Sequence, residues 1–198
     1  MTRREFIALL GGAAAARPIA ARAQQGGRMR RLAWLDLLSE NDPNAQARVK
    51  AFQQVTETLG WTVGRNLTID FRWSLFDLAK ARAAAAELLS LAPDLALCAG
   101  TTSTLTMQQA TRTVPIVFAI VADPLAQGIV PSLAHPGGNT TGFAYLEPTV
   151  GGKWLGLLKE IASSLARVAF VFNPDSSPYS QLFLQSIEAA ANRGSSPD

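Results

Sequence analysis

Residues 95–124 read LALCAGTTSTLTMQQATRTVPIVFAIVADP, and this stretch decides the fold. It contains two short apolar runs, 95–99 and 116–121, of the kind found in strands that are buried on both faces. Between them lies a segment of helical character, 103–111, which follows Gly100. Strand, helix and strand in this order predict a crossover between two parallel strands.

The same alternation continues on both sides of this unit. We expect further strands over 31–38, 67–73 and 141–145, and helices over 44–59, 78–91 and 125–134. After the loop signal PGGN at 136–139, a second series follows, with a helix over 152–161, a strand over 168–172 and a helix over 180–191. The sequence therefore predicts an α/β fold with a mainly parallel sheet and helices on both faces.

The second series is too short to form a domain of its own. One strand with one edge neighbour cannot bury both faces of a sheet. We therefore expect three segments: a signal peptide over 1–23, a first α/β lobe over 24–145, and a partial second α/β lobe over 146–198.

The amino terminus has the layout of an export signal. Arg3 and Arg4 precede a short apolar run, and a small-x-small pattern ends at Ala23, so we expect cleavage between Ala23 and Gln24. The apolar run is too short to span a bilayer, and the alternative is an ordinary buried helix. The sequence around Arg3 and Arg4 resembles a twin-arginine signal, which implies the twin-arginine translocase as an export partner.

Removal of this segment changes the charge balance. The chain has 198 residues, with 18 Lys and Arg against 15 Asp and Glu. Four of those basic residues and one acidic residue lie in 1–23, so 14 of each sign remain. The mature chain therefore lacks the excess of positive charge that nucleic-acid binding requires.

The most informative polar residues follow the strand at 95–99. Gly100 permits a close approach of the backbone, and Thr101, Thr102 and Ser103 bring hydroxyl groups to the start of a helix. Free N–H groups and hydroxyls at that position suit a carboxylate or another anion. The alternative is that Thr102 or Ser103 only caps the helix.

Other candidate ligand-binding residues also follow strands. Ser39 comes after the first strand, and Asp123 comes after the strand at 116–121, where it would either receive an ammonium group or cap the next turn. Asn173, Asp175 and Ser176 follow the predicted strand of the second lobe, where a plain Asx-turn is the alternative. Since ligands of open α/β sheets bind at the carboxyl ends of strands, these residues are expected to face an interlobe cleft.

No catalytic or metal-binding pattern is recognisable. The sequence contains neither a Gly-x-Ser-x-Gly elbow nor a phosphate-binding glycine loop. Cys98 lies in an apolar run and reads as a small buried side chain, and His135 is the lone histidine, so a transition-metal site is not expected. We expect neither a cofactor nor an enzymatic activity.

Several segments are shared with a known family. The chain resembles the substrate-binding proteins of ABC transporters in its export signal and in five further stretches: RTVPIVF at 112–118, VADP at 121–124, SLAHPGGNTTG at 132–142, GKWLGLLKEIA at 152–162 and RVAFVFNPD at 167–175. The resemblance covers most of the chain up to about residue 191.

This resemblance implies a type I periplasmic-binding-protein fold, in which two α/β lobes hold a solute in the cleft between them. It also implies a periplasmic protein, not anchored stably in the membrane, that binds a small amino-acid-like solute and delivers it to permease subunits. Members of the family are much longer, and residues 192–198 depart from their pattern, so we expect an incomplete second lobe and a C-terminally truncated chain. The alternatives are a truncated relative without function, an exported α/β hydrolase or reductase, and the sensor domain of a regulator.

Overall fold

The structure is a computed structural model that describes residues 28–174, 177 and 179–193. The predicted signal peptide therefore lies outside the described residues, together with Asp175 and Ser176. The elements follow in chain order: β1 (Arg30–Asp36), α1 (Pro43–Thr58), β2 (Leu67–Trp73), α2 (Leu78–Ser90), β3 (Leu95–Ala99), α3 (Thr101–Ala110), β4 (Ile116–Ala122), β5 (Thr140–Leu146), α4 (Val150–Ile161) and α5 (Ser180–Arg193). Within the part of the chain described here, no helix is long and apolar enough to cross a membrane.

The strands form one parallel sheet in the order β2-β1-β3-β4-β5. The predicted α/β class and parallel sheet are therefore confirmed. The chain moves outward from β1 to β2 and then back past β1 to β3, so the strand order reverses between β1 and β3. In sheets of this kind, the crevice outside the carboxyl ends of those two strands is the usual ligand site.

Helices cover both faces of the sheet because successive side chains of each strand point to opposite sides. On one face, Leu35 and Cys98 pack with Leu88 of α2 and Met107 of α3. On the other face, Trp34 packs against α1. The Trp34 ring meets Phe52 of α1 edge-on, with the ring centroids 5.2 Å apart.

The helices α1 and α2 each begin at an aspartate that caps the helix. Asp42 caps α1, and its side chain accepts hydrogen bonds from the amides of Asn44 at 2.8 Å and Ala45 at 3.2 Å. Asp77 caps α2 by accepting from the amide of Lys80 at 3.0 Å. Such caps satisfy amides that have no partner inside the helix, so they fix where each helix leaves its strand.

Two predicted elements are wrong. Residues 125–134 form turns and bends instead of a helix, because Gly128 has φ +65° and Pro131 lacks an amide hydrogen. Residues 168–172 are irregular and pair with no strand within the described residues, although the sequence predicts a buried strand there. A strand of a parallel sheet needs hydrogen-bonded neighbours, and the described segments that flank 168–172 are helices and loops.

The helices α4 and α5 pack on each other. The ring of Trp154 stacks on Phe183 with the centroids 5.4 Å apart, and the Gly152 amide donates to Ser186 Oγ at 3.1 Å. The outer side of α4 leaves Leu157 and Ile161 exposed. This helix pair follows β5 in the chain. Tyr179, which directly precedes α5, lies at the carboxyl ends of the strands.

Candidate functional site

A cleft of about 640 Å³ opens at the carboxyl ends of β1 and β3, where the strand order reverses. Its walls come from β1 and the loop after it, α1, the loop before α2, the β3–α3 junction, the ends of β4 and β5, and the segment before α5. The lining residues are Asp36, Leu37, Leu38, Asn44, Ala47, Arg48, Phe76, Ala99, Gly100, Ile120, Tyr145 and Tyr179. Its volume lies within the range of small-molecule sites.

The floor of the cleft holds a buried ion pair. Asp36, the last residue of β1, is 1% exposed, and its Oδ2 lies 3.4 Å from Nη1 of Arg48. The same carboxylate accepts hydrogen bonds from the Leu38 amide at 3.0 Å and from the Trp34 indole at 3.4 Å. A buried charge is tolerated only when it is paired and hydrogen-bonded, and this carboxylate meets both conditions.

A glycine forms the rim where β3 turns into α3. Gly100 is the N-cap residue of α3 with φ +106° and ψ 160°, a conformation almost restricted to glycine. Its amide donates to the Ala119 carbonyl at 2.8 Å, and its carbonyl accepts from the Thr104 hydroxyl at 2.8 Å. No side chain caps α3. The predicted alternative, in which Thr102 or Ser103 caps the helix, is therefore wrong, because the N-cap residue is Gly100.

The hydroxyls of the first turn of α3 are buried. Thr101 Oγ1 accepts from the Ala122 amide at 3.4 Å, while Thr102 is 8% exposed. Ser103 is fully buried, and its Oγ has no hydrogen-bond partner among the described residues. An unpaired buried hydroxyl has a cost in free energy. Ser103 is therefore an unsatisfied polar group beside the start of α3.

Aromatic side chains form the outer wall. Phe76 is 48% exposed and Tyr145 is 65% exposed, and Tyr179 joins them from the segment before α5. Phe76 and the preceding Leu75 both have left-handed backbones, with φ +59° and +54°. The Phe76 amide donates to the Leu37 carbonyl at 2.9 Å, which ties this strained loop to the end of β1.

Gly100 lines the cleft, whereas Thr101, Thr102 and Ser103 and the other described site residues predicted from the sequence lie outside its lining. Ser39 follows β1 and is partly exposed. Asp123 follows β4, and its carboxylate accepts from the Ala126 amide at 3.0 Å, as a turn cap does. Asn173 is exposed, and its carbonyl accepts from the Ser177 amide at 2.9 Å, as in a turn.

Sequence reasoning missed most of the cleft. Arg48, Phe76, Tyr145 and Tyr179 come from a helix face, a loop and the ends of later elements, which only the fold brings together. Asp36 was missed as well, although a carboxylate that ends the strand RRLAWLD is a readable signal of a polar strand end.

A second hollow lies at the opposite edge of the sheet. It measures about 370 Å³ and is bordered by Phe52, Trp61 and Leu67, with Arg30 and Asp94 at its rim. The hollow lies at the amino ends of β1, β2 and β3. In sheets of this type, ligands bind at the opposite end of the strands, outside their carboxyl ends.

Among the described residues we find neither a reactive thiol nor a metal centre. Cys98 is fully buried, and burial raises the pKa of its thiol well above the usual range. A thiol in this state is a poor nucleophile. In the described segments, no three His, Cys, Asp or Glu side chains come close enough together to hold a metal ion.

The fold and the position of the cleft are those of α/β proteins that bind a ligand outside the carboxyl ends of their parallel strands. The family model described as ABC transporter substrate binding protein matches residues 39–194. The chain therefore belongs to this family, whose members are solute-binding proteins rather than enzymes.

Known proteins agree with this assignment. The chain is 30% identical over 132 residues to the tyrosine-binding protein of Clostridioides difficile (strain R20291). The matched segment covers 66% of this chain and 37% of that protein. A conserved domain protein from Vibrio cholerae superposes with a TM-score of 0.75 at 25% identity, covering 84% of this chain and 55% of the other. The ABC domain from Streptococcus pneumoniae in complex with L-Trp gives 0.72 at 22% identity, with coverages of 84% and 54%.

These neighbours have the type I periplasmic-binding-protein fold, and the predicted fold is therefore confirmed. The chain spans about half the length of the solved structures and 37% of the length of the curated relative.

Proposed function

We propose that this chain belongs to the binding component of an ABC-type uptake system and holds a small amino-acid-like solute in the cleft at the carboxyl ends of β1 and β3. The observation that carries this proposal is the cleft itself. It lies at the reversal of strand order and combines an uncapped helix start at Gly100 with aromatic walls and one partly exposed cation. The names of the relatives, a tyrosine-binding protein and a domain in complex with L-Trp, support a solute of that chemistry.

The first turn of α3 is the proposed site for the carboxylate of the solute. The uncapped amides that follow Gly100 are donors, and the positive end of the helix dipole favours an anion. Ser103 adds a buried hydroxyl without a partner in the described part of the chain. Thr101, Thr102 and Ser39 complete the proposed first-lobe set. Asp123 is the proposed acceptor for an ammonium group.

The two proposed lobes give the cleft its function. Residues 24–145 form the first lobe, and 146–198 belong to the start of a second lobe that contributes Tyr179. Asn173, Asp175 and Ser176 are the proposed second-lobe contacts. Closure of two lobes around a solute excludes water from the polar contacts and strengthens them. Delivery of the solute to permease subunits is part of this proposal, and the membership of the chain in a family of ABC transporter substrate-binding proteins supports it.

The proposed location is the periplasm. Arg3 and Arg4 would direct the chain to the twin-arginine translocase, and cleavage would follow Ala23. Replacement of both arginines by lysine should retain the uncleaved precursor in the cytoplasm, which immunoblotting of cell fractions detects. Normal cleavage of that variant would rule out the twin-arginine route.

Isothermal titration calorimetry of the full chain against each of the proteinogenic L-amino acids tests the proposed binding. We expect saturable binding of one or a few of them. The Ser103→Ala variant should bind that amino acid more weakly by about 1–3 kcal/mol, because it removes a donor to a charged group. If no amino acid binds to the wild-type chain, the proposal is wrong. Equal affinity of Ser103→Ala would remove only Ser103 from the site.

A further inference from the structure

Arg48 is a cation held in a fixed orientation on the wall of the cleft. Its side chain is 25% exposed, and its Nε donates to the Asn44 carbonyl one turn earlier in α1 at 3.2 Å. Its Nη1 lies 3.4 Å from Asp36 Oδ2. The guanidinium is planar, so these two contacts fix the plane of the whole group.

The anchor of Arg48 is itself rigid. Asp36 ends β1, and its carboxylate also accepts from the Leu38 amide at 3.0 Å and from the Trp34 indole at 3.4 Å. Trp34 in turn is buried between Phe52 and Phe71. A guanidinium fixed before a ligand arrives loses little entropy when the ligand binds, which favours tight and selective recognition.

Arg48 lines the cleft, and one edge of its guanidinium has no described contact. The described contacts of Arg48 use Nε and Nη1, and none of them uses Nη2. Asp36 and Arg48 are the charged residues among the described lining, and Asp36 is only 1% exposed. The charge that a solute can reach on this wall is therefore positive.

Arg48 lies close to the carboxyl ends of β1 and β3, between which the strand order reverses. Asp36 is paired with Ala99 across β1 and β3, and Gly100 follows Ala99 directly. Neighbouring strands lie about 4.8 Å apart, so the Asp36–Arg48 pair and the start of α3 border the same point of the cleft.

From this geometry we infer that Arg48 is a specificity-determining residue that binds the carboxylate of the solute through its free edge, while Asp36 and the Asn44 carbonyl position it. This inference rests on the proposed function. The alternative is that the pair only ties α1 to the end of β1. In that case, loss of Arg48 would lower stability without changing which solutes are preferred.

The preference for a carboxylate separates these two roles. Calorimetry of the full chain would compare L-tryptophan with L-tryptophanamide, and L-tyrosine with L-tyrosinamide, since each amide differs from its parent by the loss of the carboxylate charge. The wild-type chain should bind the acid about 10- to 100-fold more tightly than the amide, the range of a hydrogen bond to a charged group. In Arg48→Gln this ratio should fall about tenfold, and the amides at the start of α3 account for any preference that remains.

Controls keep the result independent of folding. Arg72→Gln removes another contact between an arginine and a carboxylate, the more exposed pair of Arg72 with Glu87 at 2.7 Å outside the cleft, and it should retain the wild-type ratio. If Arg48→Gln fails to fold because Asp36 is left buried and unpaired, the double variant Asp36→Asn, Arg48→Gln removes that charge and carries the same comparison.

The outcomes distinguish this inference from the proposed function. An acid-to-amide ratio in Arg48→Gln, or in the double variant, that equals the wild-type ratio would overturn the role of Arg48 and leave the binding function intact. Absence of binding of both acids to the wild-type chain would overturn the proposed recognition of these solutes and the role of Arg48 with it.

Discussion

Replacement of Gly100 by alanine should destabilise the fold at the rim of the cleft. The backbone of Gly100 has φ +106°, and residues other than glycine adopt this region at a cost of about 1–3 kcal/mol. A Cβ atom there would lie 2.9 Å from Cδ1 of Leu37, which is only 6% exposed. Rotation of the leucine away from that atom costs about 0.5–1.5 kcal/mol.

One effect acts in the opposite direction. Alanine restricts the unfolded chain, which favours the folded state by about 0.4–1 kcal/mol. The net loss for Gly100→Ala is therefore about 0.5–4 kcal/mol, and for a chain of this size it lowers the melting temperature by about 1–16 °C. Urea denaturation followed by circular dichroism measures the free energy directly.

Gly60→Ala is the matched control. Gly60 also has a positive φ, +87°, but a Cβ atom there would meet nothing within 4 Å. The control therefore carries backbone strain without the contact to Leu37, and it should be less destabilising than Gly100→Ala. If Gly100→Ala unfolds at the same urea concentration as the wild-type chain, the claim that the rim requires glycine is wrong.

Three further predictions concern charge, reactivity and protection. The Arg31 amide, and after it the Arg30 guanidinium, lowers the pKa of Asp94, so this carboxylate stabilises the fold above about pH 4 and the contribution is lost as the pH falls through the lowered value. Asp94→Asn should flatten the fall in unfolding free energy below about pH 4 in urea titrations, and an unchanged slope would contradict this. Cys98 should resist alkylation by iodoacetamide in the native chain and react only after denaturation, as mass spectrometry would show. Amides of residues 168–172 should exchange with deuterium faster than those of β4, because they have no ladder partners in the described part of the chain, and equal protection would mean that a stable partner exists.

The elements that could be predicted from the sequence are those that local composition determines. The strands β2 and β3 end at the residues that the apolar pattern indicates, Leu67–Trp73 and Leu95–Ala99. β2 alternates apolar with polar residues, and β3 is a short apolar run between Asp94 and Gly100, so the local pattern alone indicates their limits.

The wrong predictions are those that depend on partners elsewhere in the chain. Residues 168–172 have the composition of a buried strand, yet a strand exists only where another strand binds it. The segment 125–134 has helical composition, but the left-handed Gly128 and the fixed φ of Pro131 outweigh it. The composition of a segment alone does not tell whether strand partners are present or whether one glycine and one proline outweigh a helical tendency.

The site shows the same division. Gly100 was predicted from the rule that ligands bind at strand ends, and it lines the cleft. Arg48, Phe76 and Tyr145 could not be predicted, because they reach the cleft only through the positions of α1, the loop before α2 and the end of β5. Asp36 marks the boundary between the two cases, since its position at a strand end is visible in the sequence and its pairing with Arg48 is not.

The distribution of backbone strain supports a function for this edge of the sheet. Five non-glycine residues of the described chain have a positive φ, and four of them lie at or just after the carboxyl ends of β2 and β4: Leu75, Phe76, Ile120 and Asp123. Each costs about 1–3 kcal/mol, and the buried charge of Asp36 is an additional burden at the same edge. Phe76 and Ile120 both line the cleft. A sheet selected for stability alone would spread such costs or avoid them, whereas here they coincide with the crevice where the strand order reverses. The strained backbone at Phe76 and Ile120 therefore supports the proposed ligand site, because both residues belong to the wall of the cleft.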